Sequence, residues 1–302
     1  MSDATATTAG SSRTVLGAFS ALSVVLIWAS WLVSTRHSIG TALTPLDLSL
    51  LRYGLPAIVL APFWLRTGLW PKNTPKLPLV LMVLGSGAVF FQVVAFGMRH
   101  TPASAAGVLL PGAMPLFTAL IGMLVLGERP DNGRKLGMAA IVLGGLTLLA
   151  GSLSGHELSW ISYVILPFGA ICWATYTHAF KHSGLDAFEG GALICVWSTI
   201  MNLALLPFFG TGLLEAPIGE IGLQVLTQGV LSGLVATLAY GWAVRSLGGT
   251  QAAAYTAITP VAAAAGGGWL LGEPLGWAII TAAVVTGAGV LLSTGILSRR
   301  RG

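Results

Sequence analysis

Two pairs of aromatic residues have the types and the spacing that could bind a small molecule. Trp28 and Trp31 are three residues apart, and Trp173 and Tyr176 repeat that spacing later in the chain. Residues i and i+3 share one face of a helix, and an aromatic face in an apolar cavity can stack a planar group. The same spacing also suits packing against neighbouring helices or lipid, so the sequence leaves both interpretations open.

His178 is the histidine that lies deepest in an apolar stretch, three residues before Lys181. Histidine changes charge near neutral pH, so one interpretation is a proton switch. The other is a neutral side chain with a structural hydrogen bond. No Asp or Glu falls in the middle of an apolar stretch, which argues against a buried carboxylate relay for protons. Cys172 and Cys195 are best interpreted as small buried hydrophobes, and we expect neither a metal nor a cofactor.

Pro111, Pro115 and Pro260 also lie within apolar stretches. Proline removes a backbone donor and loosens a helix. Each of these residues is therefore either a hinge or a kink that lets two helices cross.

Composition identifies the elements that must position these residues. The chain has 302 residues, of which 55% are hydrophobic and only 8% are charged, and its mean hydropathy is +0.83. Soluble domains carry about 25% charged residues, so a cytosolic enzyme, a disordered chain and a nucleic-acid binder are excluded. Long continuous apolar runs predict an all-α integral membrane protein instead of a β-barrel, whose strands alternate apolar and polar residues.

Ten stretches are apolar enough to cross a bilayer, which takes about 20 residues of helix. They are Val15–Thr35, Leu46–Leu65, Leu77–Met98, Ala103–Leu126, Leu136–Gly151, Trp160–Phe180, Phe188–Phe209, Ile221–Val244, Gln251–Leu271 and Leu275–Leu297. The linkers between them are too short to hold a folded domain.

The basic residues predict the orientation of these spans. With the N-terminus in the cytoplasm, twelve Lys and Arg fall on the cytoplasmic side, and three, Arg36, Arg52 and Arg99, fall on the other. Cytoplasmic loops of membrane proteins carry an excess of Lys and Arg. The split therefore favours ten spans with both termini in the cytoplasm.

The chain repeats itself at an offset of 145 residues. Trp28-Ala29-Ser30-Trp31 corresponds to Trp173-Ala174-Thr175-Tyr176, Pro115 to Pro260, and Leu126-Gly127-Glu128 to Leu271-Gly272-Glu273. We therefore divide the chain into residues 1–151 and 152–302, each with five spans. Because five is odd, the second half is predicted to be inverted relative to the first, as in many secondary transporters.

Several segments resemble the EamA domain of the drug/metabolite transporter superfamily. They are Phe96-Gly97-Met98-Arg99, Thr101-Pro102-Ala103-Ser104, Pro115, Leu126-Gly127-Glu128-Arg129 and Gly144-Gly145, with looser counterparts at Tyr240-Gly241-Trp242, Thr259-Pro260 and Leu271-Gly272-Glu273. The resemblance covers nearly the whole chain. It is greatest to the YddG-type branch, which exports aromatic and other neutral amino acids.

The resemblance implies a ten-helix exporter in the cell inner (plasma) membrane, with a cavity lined by spans 1, 3, 4, 6, 8 and 9. It adds Gln92 in span 3 and Tyr255 and Thr256 in span 9 to the expected cavity residues. The complete expected set is Trp28, Trp31, Gln92, Trp173, Tyr176, His178, Tyr255 and Thr256, with Pro111, Pro115 and Pro260 as hinges.

The expected cargo is a small neutral metabolite, above all an aromatic or other neutral amino acid, moved by alternating access through a central cavity between the two repeats. The alternative is a proton-coupled antiporter for drugs or other metabolites. An intramembrane enzyme would need Asp pairs, His-Glu-x-x-His or Gly-x-Ser-x-Gly in its spans, and none occurs. The expected partners are the substrate and the lipid bilayer, with no nucleic acid, and a monomer is expected to suffice because ten helices enclose a cavity.

Overall fold

The computed structural model describes residues 3–153 and 158–295, and the side chains of residues 3–13 and 249–250 are not described. Throughout these residues the regular structure is helical. The end of the tenth expected span at Leu297 and the basic residues Arg299, Arg300 and Arg301 lie outside them.

The described residues of the first half form eight α-helices, with one 3-10 turn at Ser38–Gly40 between the first two. They are α1 (Asp3–His37), α2 (Pro45–Val59), α3 (Ala61–Thr67), α4 (Lys76–Ser86), α5 (Ala88–Arg99), α6 (Ala103–Leu109), α7 (Met114–Leu126) and α8 (Asn132–Leu153).

The described residues of the second half form seven α-helices, one π-helical segment and one 3-10 turn. They are α9 (Trp160–Lys181), α10 (Ala187–Phe209), α11 (Ile218–Gln224), a π-helical segment (Val225–Val235), α12 (Ala236–Leu247), α13 (Gly249–Tyr255), a 3-10 turn (Thr256–Ile258), α14 (Thr259–Leu271) and α15 (Trp277–Ser293).

Seven helical stretches of the described chain are long and apolar enough to cross a membrane. They match seven of the ten expected spans. The second expected span bends by 72° between α2 and α3, and the ninth is divided into α13, the 3-10 turn and α14. Proline explains both breaks, since Pro62 and Pro260 stand in the first turn of α3 and α14 and cannot donate to the preceding turn. The tenth expected span contains α15, whose 17 residues are fewer than the roughly 20 that cross a bilayer.

The start of α2 is fixed by a reciprocal cap. The Thr44 hydroxyl accepts from the Asp47 amide at 3.2 Å, and the Asp47 carboxylate accepts from the Thr44 amide at 2.8 Å, which satisfies donors that a helix start leaves free. The buried Asp47 carboxylate also accepts from the Thr211 hydroxyl at 2.6 Å and the Gly212 amide at 2.9 Å. One carboxylate therefore ties α2 to the loop after α10.

The helix pairs that pack most extensively follow the repeat. α1 packs on α12, which joins span 1 to span 8, and α4 packs on α9, which joins span 3 to span 6; these two span pairings exchange when the halves are swapped. The pairs α2–α10 and α8–α15 join corresponding helices of the two halves, and α6–α14 joins the corresponding spans 4 and 9. In α8, a Cβ at Gly144 or Gly151 would collide with Thr286 or Ala278 of α15, so small residues are what allow this close crossing.

The two Leu-Gly-Glu copies fold alike but bind differently. Gly127 and Gly272 have φ of 68° and 66°, a left-handed conformation that glycine adopts at helix ends. Each following carboxylate folds back over a glycine of its own helix, Gly122 or Gly267. Glu273 then accepts from the Ala103 and Ser104 amides of α6 at 2.8 and 2.9 Å. The exposed Glu128 carboxylate has no hydrogen-bond partner among the described residues.

Candidate functional site

A cavity of about 530 Å³ lies among α1, α2, α4, α7, α9, α10, the π-helical segment and the helical segments from α12 to α14. Its volume is within the range of small-molecule sites, about 300–1,000 Å³. Both halves of the chain contribute to its walls. The lining includes Trp28, Arg52, Tyr53, Ser86, Pro111, Met114, Pro115, Thr118, Trp173, Tyr176, Thr177, Phe180, Lys181, Cys195, Ser232, Tyr240, Thr256 and Thr259.

Four aromatic side chains form one wall of the cavity, which we call the aromatic wall: Trp28, Trp173, Tyr176 and Tyr240. Trp173 contacts Tyr176 and Trp28 edge-on, with ring centroids 5.1 and 6.3 Å apart. The Tyr240 ring lies 6.0 Å from that of Trp28. Aromatic pairs prefer such geometries, so the wall is a packed surface that presents ring edges and faces to a ligand. Tyr240 was not among the expected site residues, although the sequence shows its place in the repeat, beside Gly241.

Other expected site residues lie behind the lining. Trp31 is buried and stacks on Phe90. The Gln92 amide donates to the Pro45 carbonyl at 3.3 Å. Tyr255 packs against the small cluster around Ala21 instead of lining the cavity. Thr256 does line it, and its hydroxyl donates to the Ala253 carbonyl at 2.7 Å.

His178 is buried one turn from the lining residue Lys181. Its Nε2 lies 2.9 Å from the Thr118 carbonyl oxygen, so the ring donates from Nε2, and this contact joins α9 to α7. Nδ1 is buried with no partner among the described residues. The hydrogen bond from His178 to the Thr118 carbonyl supports the structural role, one of the two interpretations that the sequence left open for this histidine.

The three expected hinge prolines take two kinds of position. Pro111 and Pro115 line the cavity where α6 gives way to α7. Pro260 is buried at the start of α14 and faces α6, where a Cβ at Gly107 would lie 3.3 Å from the Pro260 carbonyl oxygen.

Arg52 is a cavity residue that sequence reasoning missed. The charge pattern places it on the outer side with the loops, whereas in the structure it lies about two turns into α2 and lines the cavity. Its guanidinium carbon is 4.6 Å from the centre of the Trp31 ring. The available signal was its position, since Arg52 falls inside the expected span Leu46–Leu65 and a charge inside a span indicates function by default.

Three buried polar atoms at the cavity have no hydrogen-bond partner among the described residues. They are Arg52 Nη1, Ser232 Oγ and Thr259 Oγ1. Ser232 lies in the π-helical segment, and such segments are frequent at functional sites. Unsatisfied buried polar groups are costly, and the three side chains that carry these atoms all line the cavity.

A chain of polar side chains connects the surface to the vicinity of the cavity. His37 Nε2 lies 3.1 Å from a Glu220 carboxylate oxygen, and the Gln224 amide donates to the other oxygen at 3.2 Å. The Gln228 amide donates to Gln224 at 3.2 Å and to the Thr35 hydroxyl at 3.0 Å. Gln228 precedes the lining residue Ser232 by four residues, so both share one side of the helix.

Comparison with known proteins identifies the chain's relatives. The model of the EamA-like transporter family matches residues 15–150 and again 158–295. The chain belongs to the EamA-like transporter family. It is accordingly a multi-pass protein of the plasma membrane and a transporter, not an enzyme.

Individual relatives cover nearly the whole chain. A Streptantibioticus cattleyicolor protein described as a probable terminal-alkyne amino-acid exporter is 27% identical over 92% of this chain and 93% of its own. A Salmonella typhimurium protein described as a probable amino-acid metabolite efflux pump is 29% identical over 91% of this chain and 93% of its own. A solved crystal structure shares the fold, with a TM-score of 0.64 at 18% identity over 97% of this chain and 99% of that one.

Proposed function

We propose that this EamA-like transporter exports small neutral amino acids, including aromatic ones, through the cavity between its two repeats. The observation that carries the proposal is the aromatic wall, where Trp28, Trp173, Tyr176 and Tyr240 line one side of a cavity of about 530 Å³. Apolar and aromatic walls with a few polar groups are typical of sites for small ligands. The amino-acid exporters among its relatives support the same class of substrate.

The proposed topology is ten crossings, with two inverted repeats and both termini in the cytoplasm. The pairing of span 1 with span 8 and of span 3 with span 6, which exchange between the halves, supports a two-fold relation between the repeats. The excess of basic residues in alternate loops supports the orientation.

The proposed mechanism is alternating access, in which the two repeats exchange their conformations. The two Leu-Gly-Glu copies support it, since the same turn binds the start of α6 through Glu273 but has no such contact at Glu128. On this mechanism, Glu128 forms the corresponding contact when the cavity opens to the other side. Pro111, Pro115 and Pro260 stand where the helices next to these contacts are broken, and they serve as hinges.

Proton-coupled antiport of drugs or other metabolites is the second candidate. The observation that favours it is the chain from His37 and Glu220 through Gln224 and Gln228. It connects two titratable groups to the helix that bears the cavity residue Ser232. A pH gradient that acts through these groups would couple transport to protons.

Uptake of labelled phenylalanine and leucine into vesicles that contain the purified protein tests the function. Saturable uptake without a pH gradient, accelerated by unlabelled amino acid on the opposite side, is the expected result. Uptake that starts only when a pH gradient is imposed would favour the antiporter. No uptake under either condition, with folded protein in the vesicles, would refute amino-acid export. Protein-free vesicles are the control.

A further inference from the structure

We propose that Arg52 binds the carboxylate of the transported molecule, so that the transporter selects substrates by their carboxylate and not by their amino group. This inference rests on the proposed function, because it takes the cavity as the transport site.

The charges around the cavity favour an anionic group. Arg52 and Lys181 are the charged residues of its lining, and no Asp or Glu is among them. Lys181 is exposed at the end of α9, where water solvates its ammonium group. Arg52 lies inside the protein, and no described carboxylate pairs with it. A charge at membrane depth is expensive unless it is paired, so a substrate anion would supply the compensation that the protein does not.

Three aromatic rings lie close to the guanidinium of Arg52. The guanidinium carbon lies 4.6 Å from the Trp31 ring centre, 5.8 Å from that of Tyr53 and 6.0 Å from that of Phe91. Cation–π contacts of this kind attract the cation through its face. The planar guanidinium carries its N–H groups along its edge, and the buried Nη1 has no hydrogen-bond partner among the described residues.

A carboxylate fits that edge better than any neutral acceptor. Guanidinium presents parallel N–H donors that match the two carboxylate oxygens. Trp31, the member of the repeated aromatic pair that lies behind the lining, is in contact with the Arg52 guanidinium. Trp31 is therefore a positioning residue for Arg52.

The amino group of a substrate meets weaker partners. Among the described lining residues, every side-chain oxygen belongs to a hydroxyl group, which is neutral. An ammonium group therefore gains no ion pair in the cavity, whereas a carboxylate does. The repeat also places Trp197 at the position equivalent to Arg52, so the guanidinium belongs to one half alone and gives the substrate a single orientation.

Two analogues of phenylalanine separate these contributions. N-acetylphenylalanine keeps the carboxylate and lacks the ammonium group, and phenethylamine keeps the ammonium group and lacks the carboxylate. In vesicles with the full-length protein, N-acetylphenylalanine is expected to inhibit phenylalanine uptake and phenethylamine is not. Equal inhibition by both analogues, or inhibition by phenethylamine alone, would overturn the proposal.

Substitution of Arg52 supplies the second arm. Arg52→Gln is expected to weaken the binding of phenylalanine and N-acetylphenylalanine about 30-fold or more, as the loss of one partner of a buried charge pair does. The same substitution is expected to abolish the preference for these carboxylates over phenethylamine. Arg52→Lys keeps the charge without the planar donors, so an intermediate loss is expected. Arg66→Gln, which removes an exposed arginine at the end of α3, is the matched control and is expected to resemble the unmodified protein.

Ligand-induced thermal stabilisation in detergent separates failure of this inference from failure of the proposed function. If phenylalanine is transported equally well by Arg52→Gln, amino-acid export stands and the carboxylate site is refuted. If phenylalanine is not transported, but N-acetylphenylalanine stabilises the unmodified protein and not Arg52→Gln, the carboxylate site stands without amino-acid export. If phenylalanine and N-acetylphenylalanine stabilise neither the unmodified protein nor the two Arg52 variants, and no uptake occurs, the inference is refuted. Should Arg52→Gln fail to fold, the Arg52→Lys variant and the analogue preference of the unmodified protein decide.

Discussion

The contact between Glu273 and α6 offers a sharp test, because the repeat supplies its own control. Glu273 accepts two backbone hydrogen bonds, from Ala103 at 2.8 Å and from Ser104 at 2.9 Å. A hydrogen bond to a charged group contributes about 1.5–3 kcal/mol. Glu273→Gln keeps one acceptor oxygen and loses the charge and the other oxygen. We therefore expect the free energy of unfolding to fall by about the worth of one such bond, about 1.5–3 kcal/mol.

Glu128→Gln is the matched substitution. Glu128 follows the same left-handed glycine and folds back over Gly122 as Glu273 does over Gly267. Its carboxylate has no hydrogen-bond partner among the described residues, so the same change should alter stability by less than about 0.5 kcal/mol, as exposed substitutions usually do. Thermal unfolding of the purified variants in one detergent measures both. Equal losses would show that the cap on α6 is not what Glu273 contributes, and would refute the reasoning.

Further predictions concern the cavity, the buried histidine and the loop contact. Replacing Trp173 and Tyr176 by Ala should weaken uptake of aromatic amino acids while the protein stays folded. The control variant Trp269→Ala, which removes an exposed ring, should not weaken uptake. Equal uptake by both variants would contradict a binding role for the aromatic wall. His178→Gln should leave the pH profile of transport unchanged, because Gln can donate to the same carbonyl, and a moved profile would indicate a proton switch. Asp47→Asn should lower the unfolding temperature, since an amide cannot accept with two oxygens from two segments; an unchanged temperature would count against this link.

The helical fold and the repeat were predictable because both depend on local composition and spacing. Apolar stretches of span length gave seven long helices at the expected places. The bend before Pro62 was harder to foresee, since a proline in a span either kinks it or is tolerated, and the neighbouring helices decide. The division of the ninth span has the same origin at Pro260.

The site was predictable only where the repeat pointed to it. The i, i+3 spacing placed Trp28 and Trp31 on one side of α1, yet Trp28 lines the cavity and Trp31 lies behind it. A helix face is wide enough to include both positions, and only the packing of neighbouring helices separates them. Arg52 was missed for a different reason: a single charge near the start of a span is equally compatible with a loop, and its aromatic surroundings come from helices distant in sequence.

The two halves share a scaffold but not their binding chemistry. The span pairings, prolines and glutamate turns repeat, and the proposed mechanism of two exchangeable conformations would require such a common framework. The guanidinium does not repeat, since Trp197 stands opposite Arg52 in the alignment of the halves, and the chain from Glu220 to Gln228 belongs to the second half alone. A substrate with one carboxylate would need this asymmetry, because two equivalent cations would offer that carboxylate two competing positions. The residues that break the repeat at the cavity are therefore the ones to examine for specificity, and those that keep it are the ones to examine for movement.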